Sequence, residues 1–178
     1  MREVHLTEEK VSNFVDVMSD SMFIYPIDEA VKLRAKHKDT MSTYFYMLTF
    51  PGFPTLANMA NDGSYRRPSW KALRGASHGS DMLLIFPMFD DHPAMPEEDV
   101  EVSRKLIRLI IDFGKEDRGP VEGWRPLDND SPSYLQIDRQ MAVREGMPLQ
   151  ERMAFWNSLP PVYWRHSTKA PSHPKDEL

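Results

Sequence analysis

Among the 178 residues there is no cysteine. That absence excludes disulfides, thiolate metal sites and a cysteine nucleophile together. It leaves the compartment open, because a secreted protein need not carry a disulfide in every segment. No apolar run approaches the roughly 20 residues that a bilayer-spanning helix requires, so no membrane span is expected. A basic stripe is missing too. The 22 Lys and Arg are interspersed with 27 Asp and Glu, for a net charge of −5, which argues against a nucleic-acid binder. There are no internal repeats and no low-complexity tract, and nothing marks a second folded domain. The first residues, "MREVHLTEEKVSNFVD", lack the apolar core of a signal peptide.

What is present is a globular composition. Hydrophobic residues make up 40% and aromatic residues 11% of a chain long enough for one domain with a real core. Residues 1–165 read as the folded segment and 166–178 as a polar, proline-broken tail. The tail closes with Lys175, Asp176, Glu177 and Leu178, the "KDEL" address that a receptor reads to return proteins to the endoplasmic reticulum. A luminal address without a means of entry implies a signal peptide upstream. On that condition the expected location is the endoplasmic reticulum lumen, with a KDEL-type retrieval receptor as partner.

Periodicity outlines the elements. "LTEEKVSNFVDVMSD" places Leu6, Val11, Phe14, Val15 and Met18 near one face of a helix with Thr7 as N-cap, and Ser19 or Asp20 is expected to interrupt it. "FIYPIDEAVKLRAKH" predicts a second helix through Ile27, Ala30, Val31 and Leu33, with basic residues gathered where the helix dipole favours them. "STYFYMLTF", residues 42–50, is the clearest strand. Both of its alternating sets are apolar or aromatic, as in a sheet covered by helices on both faces, the α/β arrangement. "MPEEDVEVSRKLIRLIIDFGKE" has Pro96 near its start, acids in its first turn, and Val102, Leu106, Leu109, Ile110 and Phe113 on one face. "SYLQIDRQMAVRE" reads as two short strands around a tight turn, and "PLQERMAFWNSL" as a last helix.

"GASHG", residues 75–79, fits the G-x-S-x-G pattern of a serine nucleophile elbow. An elbow needs a strand feeding in and a long helix leading out. The preceding "NDGSYRRPSWKALR" is charged and broken by Pro68, and the following apolar run stops at Pro87. Ser77 fails the context test. Of the six histidines, His5, His37, His78, His92, His166 and His173, none is paired at metal-ligand spacing, and no metal or cofactor is expected. His78 stands apart, held between a serine and a glycine in a loop that follows the two-sided strand. A lone histidine is more often structural than catalytic, but a strand, a loop, His-Gly and then a long helix is the order in which an α/β-hydrolase presents its triad histidine.

Collinear pieces carry a closer likeness: "FIYPIDEAVKLRAKH", "YFYMLTFPGFPTLAN", "GASHGSDMLLIFP", "EEDVEVSRKLIRLIIDFGKEDRGP", "WRPLD", "SYLQID" and "ERMAFWNSL". From about Ser19 to Leu159 the chain resembles the carboxyl-terminal third of the type-B carboxylesterase and cholinesterase family. The resemblance implies the carboxyl-terminal part of an α/β-hydrolase sheet with flanking helices, incomplete on its own. It implies a carboxylic ester as the small-molecule substrate of the complete enzyme, cleaved through an acyl-enzyme. It assigns His78 as the general base. Asp81 matches an acid that the family keeps after the histidine, which orders the loop; a helix N-cap for "MLLIF" is the alternative. Phe50 and Phe53 are gorge-lining candidates, with packing as the plainer role.

The likeness has gaps. The family's nucleophile elbow, oxyanion-hole glycines and triad acid lie upstream of the matched region, so the 178-residue chain is expected to be inactive alone and to be a fragment or short form. Asp16, Asp20 and Asp28 align after the family's triad acid and do not replace it. Ile110 stands where the family usually has tryptophan. A non-catalytic, cholinesterase-like adhesion protein is the alternative parent. Such proteins continue into a stalk and a membrane span, which this sequence does not contain. The sequon at Asn129 is followed closely by Pro132, which disfavours glycosylation.

Overall fold

The structure, a computed structural model, describes residues 7–38, 40–52, 75–86, 95–115 and 119–160. Helix α1 spans Glu8–Ser19. Thr7 caps it, its Oγ1 accepting from the Lys10 N–H at 3.3 Å, and Glu8 and Glu9 face the positive end of the dipole. The expected break at Ser19 or Asp20 does not occur. Asp20–Ile24 form a π-helical turn that runs straight into α2, Tyr25–Ala35. Pro26 explains the widening. It has no N–H to donate, and its ring would press on the carbonyl one turn back, so the Tyr25 N–H reaches the Asp20 carbonyl instead. The chain passes through a bulge where the sequence suggested a stop.

Strand β1 is Tyr46–Leu48, β2 is Ser133–Ile137 and β3 is Ala142–Glu145. They form a mixed sheet in the order β1-β2-β3. β1 runs parallel to β2, with Tyr46 opposite Leu135 and Leu48 opposite Ile137. β3 is antiparallel, with Leu135 opposite Val143. The regular ladder is shorter than the predicted strand 42–50, but backbone bonds continue on either side of it: Leu127 N to Thr43 O at 2.7 Å and Thr49 N to Ile137 O at 2.8 Å.

The two apolar sets of this strand separate as the alternation requires. Tyr44, Tyr46, Leu48 and Phe50 join Leu135 and Ile137 on the face covered by α4, Glu97–Lys115, which contributes Val102, Leu106 and Leu109. Phe45 and Met47 turn to the opposite side, where with Ile24 and Ile27 of the helical arm they line a cleft of about 100 Å³. Ile110 and Phe113, expected on the core face of α4, are 44% and 40% exposed; the buried stripe is narrower than the apolar pattern. Phe113 still packs against Tyr44 and Trp124 at centroid distances of 5.3 and 5.9 Å.

Short helix α3, Ser80–Ile85, lies on α4, with Leu84 in the core and the Ser103 Oγ donating to the Leu84 carbonyl at 2.5 Å. Helix α5, Gln150–Ser158, returns to the π-helical turn. There the Asp20 carboxylate, 4% exposed, accepts two bonds from the Arg152 guanidinium at 2.8 and 2.5 Å and one from the Trp156 indole at 3.1 Å. The fork-on-carboxylate geometry satisfies a charge that burial would otherwise penalise. Asp20 holds the arm to the end of the fold.

Candidate functional site

His78 lies in the turn that opens α3, with its side chain exposed. The turn depends on Gly79, which sits at φ 77°, ψ 6° as the N-cap of α3. Residues with a Cβ rarely adopt this left-handed conformation. Ahead of the histidine, Ser77 and Ser80 interlock. The Ser77 N–H donates to the Ser80 Oγ at 3.0 Å, the Ser80 N–H donates to the Ser77 carbonyl at 3.0 Å, and the two hydroxyl oxygens are 2.9 Å apart. The Ser77 hydroxyl is therefore engaged in closing the turn, and no serine hydroxyl bonds His78 among the described residues.

Asp81 fixes the other side of the loop. It sits within the first turn of α3 and not at the cap. One carboxylate oxygen accepts the Tyr46 hydroxyl at 3.0 Å and the other accepts the Met82 N–H at 3.0 Å. The histidine loop is thereby tied to β1. Burial first, and the Asp81 charge second, push the Tyr46 phenol up to about 12, because both disfavour a phenolate there.

Among the described residues the imidazole meets one ring. Phe23, on the π-helical turn, stacks on His78 with centroids 4.3 Å apart and planes 20° from parallel. Sequence reasoning missed this contact. Phe23 reads there only as the start of a helix, and nothing local marks it as a partner of position 78.

The other acids considered before His78 are committed elsewhere. Asp20 holds Arg152 and Trp156, Asp16 meets Arg152 at 3.1 Å, and Asp28 meets Lys32 at 2.5 Å. The Arg152 guanidinium is held above its ordinary range chiefly by the Asp20 carboxylate. His37 occupies the turn after α2, an exposed position at the negative end of that helix. His5, His92, His166, His173, Phe53 and the Lys175–Leu178 signal lie outside the described residues. Phe50 is 1% exposed at the centre of the core, a packing residue. Asn129 is exposed and its amide donates to the Lys32 carbonyl at 3.3 Å. Among the described residues no cluster of His, Asp and Glu could hold a metal ion, and no helix is long and apolar enough to cross a membrane.

The sequence profile of the carboxylesterase family matches residues 2–156. Among curated proteins the chain is similar to a cocaine esterase of Oryctolagus cuniculus, 26% identical over 151 residues, which covers 82% of this chain and 25% of that protein. It is also similar to a liver carboxylesterase of Sus scrofa, 27% identical over 85% of this chain and 25% of the relative. A bile salt-activated lipase of Bos taurus is 25% identical over 75% of this chain and 21% of its own length. The chain thus spans about a quarter of the length of the curated relatives it matches. Among solved structures, juvenile hormone esterase from Manduca sexta superposes with a TM-score of 0.59 at 22% identity, covering 82% of this chain and 28% of the esterase. That likeness shows the α/β-hydrolase fold.

Proposed function

This chain belongs to the carboxylesterase family, and from that premise we propose that it carries the general base of a serine ester hydrolase, with His78 in that role. The nucleophilic serine, the oxyanion-hole donors and the triad acid come from sequence preceding this segment in a longer polypeptide. In the complete enzyme the serine oxygen attacks the ester carbonyl carbon while the His78 imidazole takes the hydroxyl proton. Collapse of the tetrahedral adduct breaks the bond to the alcohol, which leaves with that proton. Water then attacks the acyl carbon while His78 takes its proton; collapse breaks the bond to the serine oxygen, which recovers that proton from His78 as the carboxylic acid is released.

The observation that carries this reading is an exposed imidazole on a left-handed glycine turn, in a G-x-x-H-G-x-D loop anchored to β1 through Asp81 and Tyr46. Among the described residues no serine hydroxyl bonds His78, and on this proposal the nucleophile it activates lies outside the 178-residue chain. Purified and incubated with a chromogenic short-chain ester, it is expected to show no turnover. The complete polypeptide is expected to hydrolyse the ester and to lose roughly 10³-fold or more of its kcat on His78→Ala. Turnover by the 178-residue chain that His78→Ala abolishes, or an upstream sequence without a serine elbow, would overturn the reading.

The same proposal places the enzyme in the endoplasmic reticulum lumen through Lys175–Leu178, retrieved by a KDEL-type receptor. Removal of those four residues from the complete protein should release it into the medium; unchanged retention would refute this part.

A further inference from the structure

The geometry points to Phe23 as the residue that positions the His78 imidazole, an inference that rests on the reading of His78 as general base. A base must hold its ring within a few tenths of an ångström of productive geometry, and small misplacements cost rate steeply. His78 is exposed, and among the described residues no hydrogen bond restrains its ring. The restraint present is the Phe23 phenyl, 4.3 Å away and 20° from parallel. A stacked face fixes the plane of the imidazole and leaves both ring nitrogens open at its edge, which suits a group that must accept and return a proton. When the ring takes the serine proton, its charge develops over the phenyl face, where cation–π attraction favours it.

A second observation concerns how Phe23 gets there. It sits on the π-helical turn Asp20–Ile24, and turns of this kind are concentrated at functional sites. An extra residue in a helical turn re-aims the side chains around it by roughly 100°, one residue's share of a 3.6-residue turn. The turn is pinned from both ends, by Pro26 on the carboxyl side and by the Asp20–Arg152–Trp156 bonds on the other. Such pinning suits a turn that must aim one ring at another element.

The test uses the complete polypeptide with Phe23→Leu, Phe23→Tyr and His78→Ala, assayed on a chromogenic ester. Phe23→Leu is expected to lower kcat about tenfold with KM within twofold of wild type and an unchanged thermal midpoint. Phe23→Tyr, which keeps the stacked face, should restore kcat. Full kcat in Phe23→Leu while His78→Ala is inactive overturns the role of Phe23 and leaves the base in place. A loss of kcat accompanied by a proportionate fall in thermal midpoint, which Phe23→Tyr does not relieve, assigns Phe23 to packing and also overturns it. If His78→Ala retains activity, the reading of the base fails, and the inference fails with it.

Discussion

Two glycines show how backbone conformation decides the sign of one substitution. Gly79 is at φ 77°, so a Cβ there strains the turn that presents His78. Gly114 lies near the end of α4, and a Cβ at that position meets no atom within 4 Å. We expect Gly79→Ala to cost about 1 kcal/mol and Gly114→Ala to add about 0.5 kcal/mol, since alanine in a helix loses less backbone freedom on folding. Urea unfolding of the two variants checks this; equal effects of one sign would refute it. Tyr46 offers a pH-dependent counterpart. Its phenol is raised from 10 to about 12 in the folded protein. The folded pKa exceeds the unfolded one, so the stability linked to the protonated form is fully present below pH 10 and lost as pH rises toward 12. Thermal midpoints of wild type should therefore fall relative to those of Tyr46→Phe between pH 10 and 12. Below pH 10 Tyr46→Phe should be the less stable protein, because Asp81 loses its hydroxyl donor. Parallel curves across the whole range would contradict the linkage.

At the scale of elements, α4 and the β2–β3 pair are legible because their signals are local. Pro96, three acids and the Val102–Leu106–Leu109 stripe specify a helix and the centre of its buried face without reference to anything else, although the same pattern extends that face to Ile110 and Phe113, which are exposed. Ser133, Leu135 and Ile137 alternate inward as a strand of period two requires. The junction of α1 and α2 is not legible, for a physical reason. Ser19 and Asp20 look like a stop because a carboxylate at mid-helix competes for backbone bonds, and the residues that neutralise that preference, Arg152 and Trp156, lie 132 and 136 positions away. The site divides in the same way. The motif around His78 is contiguous and visible, whereas the Phe23 stack depends on a helical bulge and exists only once the arm has docked. The clamp itself can be measured. Arg152→Met keeps much of the side chain's volume but leaves Asp20 buried without its counter-ion, and should destabilise the fold by about 3 kcal/mol. Chemical denaturation tests this, and a change below about 0.5 kcal/mol would mean that Asp20 is solvated and the arm is held by other contacts.

For the molecule as a whole, the balance of covered and uncovered apolar surface decides behaviour in isolation. The core around Leu106, Leu135 and Ile137 is fully buried, yet Phe14 is 64% exposed, Phe155 59% and Leu33 58%. Val17 and Phe155 line one groove between α1 and α5, so these two exposed apolar side chains adjoin. Soluble monomers rarely leave such patches open. Strand β1 adds an edge, since among the described residues it pairs with β2 alone, and an uncovered edge is a template for further pairing. Both features suit a segment that packs against more of its own polypeptide, which is what the proposed function requires. The purified 178-residue chain should accordingly enhance the fluorescence of a hydrophobic dye and sediment as associating species as its concentration rises. Val17→Glu with Phe155→Glu should reduce both effects, because both residues line one groove and two charges then repel copies across the same surface. A dye-negative, monodisperse monomer up to about 100 μM would show that these faces are tolerated by the chain as it stands, and the need for a larger polypeptide would lose its physical support.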